Sequence, residues 1–211
     1  MTDREILDRI IGNASSIADV VDAFSGSHPA LATYTWMATA ELRGEIIDID
    51  GLIFEAGREV GHFSRRLFYA RNMRQAFHEI MELERPHRDR DIAKHHYGRL
   101  LRFYDRVGIR YVSMKAEGEG PFIWPTFGFD FTRPKHREML LRILREWEVE
   151  PLPSLESILA PQVVSIGTDV SPTLGAEAIR ELARRADEAL PMRLDLVEEA
   201  QRAYLRNRGI L

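Results

Sequence analysis

Apolar residues recur along this chain with two periods, and the changes of period mark its elements. Over the first 24 residues the spacing is helical. Ile6, Leu7, Ile10 and Ile11 share one face, and Ile17, Val20, Val21 and Phe24 repeat it. Gly26 and Pro29 break that pattern. From Ala32 to Leu83 the signal is strand. Tyr34 to Leu42 is rich in β-branched and aromatic residues, and Glu45 to Ile49 is a short strand closed by the turn dipeptide Asp50-Gly51. Leu52 to Glu55 and Val60 to Tyr69 follow, with Gly57 between them. Ala76 to Leu83 comes last, with Phe77, Met81 and Leu83 on a common face. Connections this short predict an antiparallel meander.

The helical period then returns. Ile92, Tyr97, Leu100, Leu101, Tyr104 and Val107 form a stripe over Asp91 to Val107, and Gly108 sits where a helix ends. Ile109 to Lys115 reads as a strand, so this strand–helix–strand unit predicts a right-handed crossover. Pro125 starts a turn, and Phe127 to Phe131 fits an edge strand. After Pro134 the pattern is helical again, with Met139, Leu140, Ile143, Leu144 and Trp147 on one stripe. A proline-rich link (Pro151, Pro153, Pro161) precedes two further helices, at Gly175 to Leu190 and Arg193 to Asn207.

Composition narrows the class. The 211 residues are 45% hydrophobic and 29% charged, the balance of a folded globular chain. No apolar run approaches the roughly 20 residues that span a bilayer. The N-terminus alternates charges with aliphatics, unlike a signal peptide. The chain contains no cysteine, which removes disulfides and thiolate chemistry and fits a cytoplasmic location. Net charge is -4, which argues against nucleic acid as a partner. Arg85 to Arg110 is the exception, with Lys and Arg well in excess of acids. Arg99, Arg102 and Arg106 there could form a solvated face or meet an acidic partner.

The element order, with a basic loop before the central helix and a strand leading to Trp124-Pro-Thr-Phe-Gly-Phe, resembles the GNAT acyltransferase family over residues 33 to 132. The resemblance implies an α/β (α+β) fold: a central mixed, mainly antiparallel sheet flanked by helices, with helical N- and C-terminal extensions. It suggests residues 1–134 as the GNAT-like domain and 135–211 as a mainly helical extension, packed on it or forming a homodimer contact. It also implies an acetyl-CoA or other acyl-CoA co-substrate, no metal, and a small-molecule or protein amine as acceptor.

Carried over residue by residue, the cofactor strand is Ala76 to Leu83, with Met81 and Leu83 along the pantetheine arm. The diphosphate loop is Arg88 to Ala93, so that Arg88, Arg90, Ile92, Ala93 and Lys94 become cofactor-binding positions. Phosphate there would meet helix amides and a favourable dipole. Glu79 and Glu82 lie on the same strand and should point to opposite faces. Either could take the proton an amine must lose, and His78 could relay it. Trp124 is the substrate-side aromatic. Two positions depart from the family pattern: Asp91 stands where a glycine is expected, and Trp124 where a tyrosine commonly donates a proton. Indole N–H donates a hydrogen bond but not a proton. Two other readings therefore stay open: a GNAT-like binding or assembly module without catalysis, and a transferase acting on a carrier-protein thioester. His78, His87, His95 and His96 lack the spacing of a metal site.

Overall fold

The computed structural model describes residues 1–12, 16–88, 91–116, 124–148, 172–186 and 189–207. Two capped helices open the chain, α1 (Asp3–Ile11) and α2 (Ile17–Phe24). Each starts with a reciprocal capping box, Thr2 with Glu5 and Ser16 with Asp19. Then come β1 (Gly26–Ser27), β2 (Tyr34–Arg43), β3 (Ile46–Glu55), β4 (Arg58–Ala70) and β5 (Met73–Leu83), followed by α3 (Ile92–Val107) and β6 (Ile109–Ala116). Further along are β7 (Asp130–Phe131), α4 (Pro134–Glu146), α5 (Pro172–Ala186), β8 (Leu190–Asp195) and α6 (Glu199–Asn207). Among the described residues no helix is long and apolar enough to cross a membrane.

The chain forms two compact units, Met1–Ser113 with Asp195–Leu211, and Met114–Leu194. These boundaries differ in place from the one at residue 134 suggested by the sequence. The first unit carries the antiparallel meander β1 to β5. Its long strands are joined by two-residue turns. Ala56-Gly57 and Arg71-Asn72 have positive φ at both positions, the geometry that matches strand twist. Asp50-Gly51, expected to end a strand, instead lies inside β3. Its glycine serves packing: a Cβ on Gly51 would come within 2.1 Å of the Phe63 ring. The chain turns earlier, at Gly44, with φ of 60°.

One face of the meander is covered by helices. Phe24 of α2 meets Phe63, Phe103 and Tyr104, and Ile47, Ile49, Ile53 and Leu67 are fully buried. Two arginines collect helix ends. Arg74 donates to the carbonyls of Asp8 and Arg9 at the end of α1 and of Val107 at the end of α3. Arg99 donates to Asp22 and Ala23 at the end of α2. Both place positive charge at the carbonyl poles of these helices, and the Asp8 carbonyl also accepts from the Gly12 amide. Arg99 is thus occupied rather than part of an open basic face, and Arg106 lies over the Phe103 ring.

Close to its edge the same unit takes back the end of the chain. The Leu196 amide donates to the Arg110 carbonyl at 2.8 Å, and Arg202 pairs with Asp105 at 2.6 Å. In the second unit, β7 pairs antiparallel with β8, and α4 lies against α5 with Arg185 bridging to Glu146. The segment expected to be edge strand is a 3-10 turn over Trp124–Phe127 followed by the two-residue β7. The helices expected at 175–190 and 193–207 are α5 and α6, with β8 between them. Leu190, Met192 and Leu194 are buried while their neighbours are not, a two-residue period that specifies strand. The proline-rich link lies outside the described residues.

Candidate functional site

The loop before α3 is pinned where it leaves β5. Arg85–His87 forms a 3-10 turn, and the buried His87 bonds the Tyr34 hydroxyl at 2.8 Å through Nδ1 and Arg58 at 3.2 Å through Nε2. Arg58 also pairs with Glu84 at 2.7 Å. Arg88 folds back, its Nε donating to the Leu83 carbonyl at 2.9 Å. Arg90 lies outside the described residues.

Asp91 then occupies the N-cap of α3 in the left-handed region, with φ 55° and ψ 11°, and its side chain makes no capping bond. A left-handed N-cap without a side-chain acceptor leaves first-turn amides unserved by a cap. The aspartate thus adopts a backbone conformation that favours glycine. Ile92 is fully buried and holds the helix to the core, while Ala93 and Lys94 are half-buried on the first turn.

On β5, the expected division of the two glutamates between opposite faces does not hold. Ser64 pairs with Ile80 and Arg65 with His78, so Glu79 is an extra residue in a bulge. The bulge resets the alternation, and both Glu79 and Glu82 end up exposed. Glu79 pairs with Arg66 at 3.0 Å and accepts from the Ser64 hydroxyl at 3.3 Å, while Glu82 stands 4.0 Å from His62. Met81 and Leu83 face the other way, half-buried and buried. His78 is also turned inward, at 2% exposure, so it does not share a face with either glutamate.

That inward side holds a cluster the sequence did not single out. Arg65 is 1% exposed, and its neighbours are His78, His96, Tyr97 and Tyr104. The His78 Nε2 bonds the Tyr104 hydroxyl at 2.9 Å. His96 packs on the rings of Phe63 and Trp36. Burial pushes His78 and His96 well below the ordinary histidine range, and the Arg65 charge adds to it. Burial also pushes Tyr97 and Tyr104 up, so both phenols stay protonated. The only early sign of this cluster was the Arg65-Arg66 pair, which alternation sends to opposite faces.

Trp124 belongs to the second unit. It is half-buried against Phe127 and Phe129, and its carbonyl accepts from the Phe129 amide at 3.3 Å. Among the described residues no group of three or more His, Asp or Glu is arranged to hold a metal.

A scan against protein-family models finds no match, and a comparison with curated proteins finds none either. Solved structures align over parts of the chain. Arabidopsis thaliana Naa50, in complex with a bisubstrate CoA analogue, is 15% identical over 40% of this chain and 58% of its own, with a TM-score of 0.36. An acetyltransferase from Thermus thermophilus is 18% identical over 41% of this chain and 56% of its own, at a TM-score of 0.33. Ard1 from Thermoplasma volcanium is 11% identical over 63% of this chain and 81% of its own, at a TM-score of 0.34. The chain thus spans little more than half the length of the first two. Alignments this partial leave function to be argued from the site itself.

Proposed function

We propose that this chain is an acyl-CoA-dependent N-acyltransferase, with the cofactor diphosphate at the start of α3. The observation that carries the reading is the backbone at Asp91. A non-glycine residue is held at φ 55°, at a position where the family pattern has glycine, and its side chain does not cap the helix. Aspartate is one of the few residues besides glycine that visits this region, so the start of α3 keeps a glycine-like backbone. The residues present fit a diphosphate: uncapped amides, the helix dipole, and the cations of Arg88 and Lys94 on either side in sequence. Met81 and Leu83 would flank the pantetheine arm.

The bound acyl-CoA would supply an activated thioester carbonyl. The chain's own contribution is to orient it and to take the proton from the attacking amine. Glu82, which among the described residues has only His62 at 4.0 Å, is the better-placed base of the two exposed carboxylates. Glu79 would first have to release Arg66. The acceptor would be an amine of a small molecule or protein, in the cytoplasm.

The Glu79–Arg66 pair gives one specific observation in favour of a second reading, a binding module that retains the cofactor loop without turnover. Both readings are tested by titrating acetyl-CoA against the full chain by calorimetry and thermal melting. Binding that weakens at least tenfold in the Arg88→Ala/Lys94→Ala double variant is expected, together with acyl transfer to an amine panel that Glu82→Gln abolishes. Binding without transfer would select the module. No thermal shift at millimolar acetyl-CoA would refute both.

A further inference from the structure

Arg65 is the largest side chain below 2% exposure among the described residues, and it is a cation. Its Nη1 donates to the carbonyls of Ser64, at 2.7 Å, and Ile80. Its Nε and Nη2 have no hydrogen-bond partner among the described residues. No carboxylate among those residues faces it. The groups acting on it electrostatically are Tyr104 and Tyr97, both neutral, and His78 and His96 are neutral as well. The guanidinium does not escape by losing its proton: burial pushes its pKa down only to about 10, so it is charged at neutral pH. A buried charge without a partner is among the costliest features a core can hold.

A second buried donor lies in the same cluster. His96 is 1% exposed, and neither ring nitrogen has a hydrogen-bond partner among the described residues. One of them must carry a proton in the neutral ring. Its ring centroid lies 4.4 Å from that of Phe63, and the Arg65 guanidinium sits 5.6 Å from the same ring. Arg65 and His78 are register partners, and His78 holds Tyr104. No negatively charged acceptor among the described residues accompanies these donors around one positive charge.

We propose that the interior between β4, β5 and α3 holds a small monovalent inorganic anion of the chloride class, bound by Nε and Nη2 of Arg65 with the N–H of His96. The anion supplies the missing negative charge and accepts from donors that have no other partner among the described residues. Its role is structural, since it lies on the opposite face of β5 from Glu79 and Glu82.

The test uses the full chain, melted at fixed ionic strength while chloride replaces gluconate, which is too large for a core site. A ligand of the folded state raises Tm by mass action. For a Kd of about 10 mM, about 100 mM chloride gives an elevenfold linkage factor, about 1.4 kcal/mol, and lifts Tm by about 4 °C. Crystals soaked in bromide should show an anomalous peak within hydrogen-bond distance of Arg65 Nε and Nη2. Arg65→Met should abolish the chloride dependence. Should that variant not fold, the wild-type melts and the bromide peak decide the matter. Equal Tm in chloride and gluconate, a water in place of bromide, or a chloride effect retained in Arg65→Met would each overturn the assignment.

Discussion

Replacing Asp91 separates its two costs, because charge and backbone respond to different substitutions. Asn keeps a side chain that tolerates the left-handed region and removes the charge. Ala removes the charge and leaves the backbone strained. Gly removes both. A non-glycine, non-Asn/Asp residue at φ 55° costs about 1 kcal/mol more than one that tolerates it. Stability should therefore order as Gly and Asn near wild type, with Ala lower by about 1 kcal/mol, or about 3 °C in Tm. A carboxylate about 4 Å from a phosphate costs about 1 kcal/mol in water and about 4 kcal/mol at an effective dielectric of 20. Asp91 is exposed, which places the effect at the low end. Removing it should tighten CoA binding about fivefold to tenfold in all three variants. Calorimetric titration with CoA reads the affinity, and urea denaturation reads the stability. An unchanged Kd in all three would show that the diphosphate does not lie at α3. Equal stability of Ala and Gly variants would refute the left-handed cap.

Acid should destabilise the chain ahead of carboxylate titration. His78 and His96 have folded pKa values well below the unfolded value near 6.5. Below that value the unfolded chain binds protons that the folded chain refuses, so stability is lost as pH falls from about 6.5. The slope approaches about 1.4 kcal/mol per pH unit for each histidine. Urea midpoints from pH 7.5 to 5 would show it; His96→Leu should roughly halve the slope, and a flat profile in the wild type would contradict the buried placement. Arg74→Ala should cost about 3 kcal/mol, because it strips three charge-assisted hydrogen bonds from two helix ends. A loss under about 1 kcal/mol in urea denaturation would mean that water serves those carbonyls equally well.

Much of this fold was legible because its residues obey one rule at a time. The α3 stripe closes on Gly108, which takes the left-handed C-cap its position implies. The meander follows from alternation and short connections. The errors came where a residue answers to a distant neighbour. Gly51 reads as a turn until the Phe63 ring is seen to need its missing side chain. The alternation of Leu190, Met192 and Leu194 spans only six residues between two helical stretches, and it reads as the end of one and the start of the next. The site was legible as a chemical composition at Arg88 to Lys94, but not as geometry. A bulge at Glu79 leaves no mark in sequence, yet it brings both glutamates to one face. Nor does the sequence distinguish Arg65 from Arg66, one buried and the other paired in solvent with Asp48 and Glu79.

The bond between the Leu196 amide and the Arg110 carbonyl bears on how this chain can vary. The polypeptide leaves the first unit after Ser113 and re-enters it at Asp195, with the return fastened beside the departure. A segment whose two ends are held together is a loop already closed. Lengthening a flexible connection within it costs only about 0.6 kcal/mol per doubling of that connection. Residues 114–194 thus form a place where length can change while the meander and α3 keep their register. Insertions and deletions should accumulate there first.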